Sequence, residues 1–429
     1  MTVNLNRRDL LRFGAVGLGS LALLSSTAGC ATTPGGVATL DPNAEAADFS
    51  FASWGMSEDA TKPVLSAAAN SFADGEGVAV TTPSYPFNDY LSQMTLQIRG
   101  GQFSGAAQLD VAWLSSLAAL GKLVDLSAYA QGREYTPAAL AAGKNDGKQL
   151  GLPWTIAAIG LISNAELLDK AGASSDPKTI EEFEDNLRAL KGIGVIPYAA
   201  ATKTAGLKDI LVWMQTFGSP IIEGGKSALA GAEAVEAITW YKKLYDDGLI
   251  SADIDRSAAR SLFAQGNAAI YDDAPVGKAG VISQSPDSGL ADKMKPIARP
   301  VLAAGNVPQE VLWGHLVAVV DGEGAQTAAE FAQWLTSDKA QTVDYFNQLG
   351  LPPTTTPALS ETAGSNDPFL ASFTEKITVD AAASPLWPYV SYAQMETAIA
   401  EQVQAVLIGQ SSPADAMKKA SAAVDSLIK

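Results

Sequence analysis

The chain has 429 residues, of which 47% are hydrophobic and 17% charged, and its 46 acidic side chains against 29 basic ones leave a formal charge of −17. Such a composition buries large cores, so the protein is globular, with two or three domains at ~100–200 residues each. One cysteine and one histidine exclude a disulfide framework, multi-cysteine metal centres and His-cluster metal sites, while the acidic surplus without a basic cluster argues against nucleic acid as a partner.

Residues 1–29 read as an export signal. Arg7-Arg8-Asp9-Leu10-Leu11-Arg12 is a basic head, and the apolar stretch from Phe13 to Leu24 spans only ~18 Å as a helix, too short for a ~30 Å hydrocarbon core. The paired arginines resemble the twin-arginine signal. Ala28-Gly29-Cys30 resembles the bacterial lipobox, which implies acylation of Cys30 after cleavage and an anchor at the outer face of the cell membrane. Cleavage would leave 26 basic and 45 acidic residues, a net −19. Residues 30–48, with Thr32-Thr33-Pro34-Gly35-Gly36, have no apolar periodicity and read as a lipidated tether.

Strands and helices then alternate. Phe49–Trp54 is strand-like, and Val64, Leu65, Ala68 and Phe72 follow at helical spacing. Gly77–Thr81 is extended, and Asn88 is the expected N-cap of a helix carrying Leu91, Met94 and Ile98, ended by Gly100-Gly101. Leu109–Trp113 is the next strand. Ile156–Ile162 is an apolar run of the kind a doubly covered strand needs. Thr179 and Glu182 form a capping box ahead of a helix whose face is Ile180, Phe183, Leu187 and Leu190. Val235, Ile238, Tyr241 and Tyr245 mark a helix ending at Gly248. The alternation predicts an α/β architecture with mainly parallel sheets.

Catalytic signals are sparse. A nucleophilic triad would have to use His315, and the sole thiol lies in the lipobox. Gly225-Lys226-Ser227 imitates the end of a phosphate loop, but Pro220 occupies the position of its first glycine. Asp246-Asp247 and Asp253-Ile254-Asp255 lack calcium-loop spacing and read as a solvated face. Asp272-Asp273 could serve as the acid/base pair of a glycan-active enzyme, although neighbours in a strand point to opposite faces.

The tryptophans carry the positive signal. Of eight, five end apolar runs: Trp54, Trp113, Trp154, Trp313 and Trp387. Strand ends are where α/β sheets bind ligands. Indole faces cover the C–H faces of a sugar ring while carboxylates and amides take its hydroxyls. Trp240 and Trp334 lie in helical patterns and read as core, with Trp213 undecided.

The order of segments resembles the extracellular solute-binding proteins of ABC importers, in the carbohydrate-binding cluster that includes maltose-binding protein. The matching pieces are Leu109-Asp110-Val111, Leu120–Leu126, Asp146-Gly147-Lys148, Gly151-Leu152-Pro153, Leu161–Leu168, Pro177-Lys178-Thr179 with Glu182-Phe183, and Phe263–Ile270. The resemblance implies a two-lobe periplasmic-binding-protein-like α/β fold with hinge-connected discontinuous lobes. Residues 49–155 and 313–356 would form lobe 1, and 156–312 with 357–429 lobe 2. Crossings are expected near Leu152–Ile156, Val311–Gly314 and Pro352–Pro357.

Carried over by position, the ligand contacts fall on Trp54, Ser57, Trp113, Ser115, Trp154, Asp272, Asp273, Trp313, His315 and Trp387. Ala157 stands where an acidic contact of maltose-binding protein would align, which speaks against a maltodextrin and leaves another sugar open, and Ser163 stands where many relatives have tyrosine, a further departure in the local contacts. The implied partners are a carbohydrate ligand and a membrane ABC permease, for a monomeric binder with no cofactor, no metal and no catalytic residue. A secreted enzyme using Asp272 or Asp273, and a binder of a cationic solute such as a polyamine, are the alternatives.

Overall fold

The structure is a computed structural model that describes residues 40–41, 44–363 and 367–428. The export signal, the twin arginines Arg7 and Arg8, and Cys30 lie outside the described residues. Among the described residues no helix is long and apolar enough to cross a membrane.

The elements that build the site are, in chain order, β1 (Phe49–Ala52), α1 (Lys62–Glu76), β2 (Val80–Thr81), α2 (Phe87–Arg99), β3 (Gly105–Asp110), β4 (Leu152–Asn164), α3 (Ile180–Gly192), β5 (Ile196–Ala199), α4 (Ala232–Asp246), β6 (Ala268–Asp273), β7 (Met294–Ile297), β8 (Glu310–Val320), α5 (Ala325–Ser337), β9 (Ala381–Ala382) and α6 (Tyr392–Leu407). The strands follow the order β2-β1-β3-β8-β4-β6-β5, with β7 on β4 and β9 on β8.

Parallel pairing, as expected, joins β1 with β2 and β3, β6 with β5, and the two-residue β9 with the start of β8. The long central strands pair antiparallel, because β4 carries the chain out of one lobe and β8 brings it back. The first half of β4 pairs with β8 from Leu152 to Ile159, and its second half pairs with β6 and β7 from Gly160 to Asn164. In the same way β8 pairs with β3 only from His315 onward. Each long strand therefore belongs to both lobes. A Cβ on Gly314 would stand 2.4 Å from the Thr155 carbonyl oxygen, so the two crossing strands approach this closely only because position 314 has no side chain.

The apolar spacings recover the packing faces. Val64, Leu65, Ala68 and Phe72 are buried on α1, and Phe49, Phe51, Phe72 and Phe331 interlock in the lobe-1 core at ring-centroid distances of 5.0–6.1 Å. In lobe 2 the Ile180, Phe183, Leu187 and Leu190 face of α3 is buried together with Trp240 and Tyr241 of α4. Trp334 of α5 is half-buried against Phe72 and Phe331.

Local details differ from expectation. Asn88 lies inside α2, whose N-cap position is Pro86, a residue without a capping side chain. The strand expected to reach Trp113 stops at Asp110, because that carboxylate accepts from Ala112 N (2.9 Å) and folds Val111–Trp113 into a 3-10 turn. Thr179 Oγ1 accepts from Glu182 N, but the Glu182 carboxylate accepts from Lys178 N, one residue short of a closed capping box. The end of the expected tether is bonded to the fold: Ala47 N donates to Thr327 Oγ1 and Ala79 N to Asp48 Oδ1. At the third expected crossing, Thr354 Oγ1 donates to Pro153 O and Thr356 N to Glu134 O. Both bonds tie this segment to residues that precede or open β4.

Candidate ligand-binding cleft

Where the two long strands cross, a cavity opens between the lobes. Its floor is Ile159 of β4 and Val311–Trp313 of β8, with Ile159 facing Val311 in register. Asp110 and Ala112, at and just beyond the end of β3, form one wall. Asp209, Leu211, Val212, Gln215, Ser384, Trp387 and Glu396 form the other. The lobes meet beside it, where Ser116 Oγ donates to Val390 O at 2.8 Å. Two half-buried indoles, Trp313 and Trp387, and carboxylates from three separate segments thus share one cavity. Asp209 is bound by Arg256 through both carboxylate oxygens at 2.6 and 2.7 Å.

The other expected contacts sort differently. Trp54 and Trp113 are buried in an aromatic array behind the cavity, 5.2 Å apart, with Tyr90 and Phe87 packed against both. Trp154, expected at the ligand, is instead fully buried in lobe 1 and stacked on Tyr345 at 4.5 Å, because β4 is still inside that lobe's core at this position. Ser57 is exposed and donates to Trp54 O, while Ser115, half-buried, accepts from Asn145; neither lines the cavity.

Asp272 and Asp273 also leave the site. Both are buried on β6, and each is consumed by an arginine. Arg299 Nη2 donates to Asp272 at 2.7 Å, and the Tyr198 hydroxyl bonds its other oxygen. Arg260 grips Asp273 from two nitrogens at 2.6 and 2.7 Å. Oxygens so occupied cannot work as an acid/base pair. Arg299, with no exposure, also contacts Glu310 at the start of β8 and lies over Trp213 at 4.5 Å, which makes Trp213 a core residue.

His315 is buried between the indoles, 4.5 Å from Trp313 and 4.8 Å from Trp54. Its Nδ1 lies 3.0 Å from Gln108 Nε2, and Gln108 Oε1 is 2.5 Å from Ser53 Oγ. Burial pulls its pKa down to about 3, so the ring is neutral across the physiological range. The unfolded chain then takes up this proton first, near ~6.5. The stability His315 contributes is therefore whole above that pH and is lost as pH falls from ~6.5 towards 3. Since no other histidine exists, His315→Gln should flatten the fall in unfolding free energy, read from urea melts, between about pH 7 and 5, a slope of up to about 1.4 kcal/mol per unit. Equal slopes in both proteins would contradict the assignment.

Five polar cavity residues escaped the sequence reading: Asp110, Asp209, Gln215, Ser384 and Glu396. Only Asp110 left a trace, as part of the matching piece Leu109-Asp110-Val111 in an expected strand.

Residues 67–371 match the bacterial extracellular solute-binding protein family. The chain belongs to that family. A Brucella abortus protein named as a binding protein is 23% identical over 86% of this chain and 90% of its own, and a Deinococcus radiodurans protein named as an ABC transporter-binding protein is 24% identical over 72% and 76%. Among solved structures, the GacH receptor of Streptomyces glaucescens, studied without ligand and with acarbose, superposes with a TM-score of 0.80 at 20% identity, over 89% of this chain and 98% of that one. The maltose-bound MalE3 of Thermotoga maritima gives 0.76 at 21% identity, over 88% and 98%. The fold of this solute-binding protein is thus the two-lobe periplasmic-binding fold.

Proposed function

We propose that this solute-binding protein captures a sugar or short oligosaccharide between its lobes and delivers it to an ABC importer, leaving the ligand chemically unchanged. The observation that carries the reading is the pairing of Trp313 and Trp387 with Asp110, Asp209 and Glu396 around one cavity. Indole faces suit the C–H faces of a pyranose, and carboxylates accept from its hydroxyls. A ligand touching both walls favours the closed arrangement by its differential affinity. Relatives of this fold were solved with acarbose and with maltose, which agrees with a carbohydrate. The division into residues 49–155 with 313–356 and 156–312 with 357–429, and a monomer anchored by acylated Cys30 after export, complete the reading. Anchoring would keep the binder beside its permease, provided that several acyl chains are added.

A thermal-shift screen tests it. Glucose, maltose, maltotriose, ribitol and spermidine are compared at concentrations rising to 10 mM. A neutral member should raise the melting temperature by mass action, about 2.7 kcal/mol of stabilisation at a hundredfold excess over Kd, and should be recovered intact. A shift with spermidine alone, or conversion of a sugar to products, would overturn the reading.

A further inference from the structure

We propose that His315 is a specificity-determining residue of the cleft, locked by Ser53 and Gln108 as the neutral Nε2–H tautomer so that it offers a ligand one hydrogen-bond donor and neither charge nor acceptor. The proposal rests on the reading of the cavity as a sugar site.

The lock follows from where hydrogens can go. Ser53 has no exposure, and its Oγ already accepts from Gly55 N at 3.0 Å. Its own hydrogen needs an acceptor, and among the described residues the atom within reach is Gln108 Oε1. Turning the Gln108 amide over would set its NH₂ against Ser53 and leave the serine hydrogen sealed without an acceptor, the costlier arrangement. The amide therefore points Oε1 at Ser53 and Nε2 at His315. Facing a donor, His315 Nδ1 must be the bare nitrogen. A neutral imidazole has one N–H, which is then on Nε2.

Position makes this tautomer matter. His315 faces Asp110 across the β3–β8 register and packs edge-on against Trp313, and both of those residues line the cavity. Among the described residues Nε2 has no hydrogen-bond partner, and the residue keeps 6% of its surface open. A hydroxyl or ring oxygen can accept from such an N–H. An ammonium group cannot, so the same residue disfavours cationic solutes.

Long-range ¹H–¹⁵N spectra read the tautomer directly, since the chain has a single histidine. The expected spectrum shows Nδ1 bare and Nε2 protonated. Gln108→Glu, whose carboxylate can only accept, should move the proton to Nδ1 and weaken the best-binding sugar of the screen panel roughly tenfold. Should that variant fail to fold, Ser53→Ala frees the amide to turn and should give mixed tautomers with a smaller loss. A wild-type Nδ1–H signature overturns the lock. A switched tautomer with unchanged sugar affinity overturns the role in specificity while leaving the sugar site standing. Failure of every neutral sugar to bind removes the ligand half together with the proposed function, and is recognised because the tautomer spectrum is read without ligand.

Discussion

Trp387→Ala is expected to weaken sugar binding about a hundredfold and, combined with Trp313→Ala, to abolish the ligand-induced change in tryptophan fluorescence. Each of these indoles is half-buried and lines the cavity, so each has a face to lose to a ligand. Removing an aromatic anchor from a desolvated pocket costs about 2–4 kcal/mol of binding. The buried pair behind them sets the contrast. Trp54→Ala and Trp113→Ala should lower stability, because they open holes in the array around Tyr90 and His315, at a cost of about 3–5 kcal/mol for a large aromatic. Titration of the folded fraction should then show affinity nearer to wild type than Trp387→Ala does. The reverse ranking would mean that ligand stacks on Trp54 and Trp113 themselves and that the cavity wall is misplaced.

The second large effect concerns Arg299, expected to cost about 3–5 kcal/mol when replaced by methionine. Its guanidinium serves Asp272 and Glu310 at once in a site without solvent exposure. Burial already pushes the Glu310 carboxyl upward, and Arg299 opposes that push. Methionine keeps much of the contact with Trp213 and strands both acids. The triple variant Arg299→Met, Asp272→Asn, Glu310→Gln removes the stranded charges as well, so its urea midpoint should recover part of the loss. If the triple variant is no more stable than the single one, packing rather than charge accounts for the cost. Since Glu310 opens β8, which carries Trp313 and His315, weakened sugar affinity in the single variant would also be expected.

Much of this protein was legible along the chain. Helix faces such as Val64, Leu65, Ala68 and Phe72 show in the spacing, because burial on one side of a helix imposes a period that needs no knowledge of the partner. The unbroken apolar run Ile156–Ile162 announced a strand covered on both faces, and it became the strand that joins the lobes. The order of the segments carried the resemblance, and with it the two-lobe fold. Negative evidence was legible too, since one histidine and one cysteine limit catalytic designs whatever the fold.

Other features depended on what lies across space. Asp272 and Asp273 read as a candidate pair until Arg299 and Arg260, from other elements, were found on them. Five tryptophans looked alike as strand-end residues, yet Trp154 met Tyr345 while Trp313 and Trp387 met open space. The antiparallel centre of the sheet likewise follows from the return path of the chain, which no local pattern records. Composition and periodicity determined an α/β chain with aromatic strand ends, and the resemblance in segment order implied its two lobes. The tertiary structure decided which carboxylates are neutralised and which indoles face the cleft, because burial period is a property of one segment, whereas charge pairing and cavity walls are made by groups that meet only when distant segments pack.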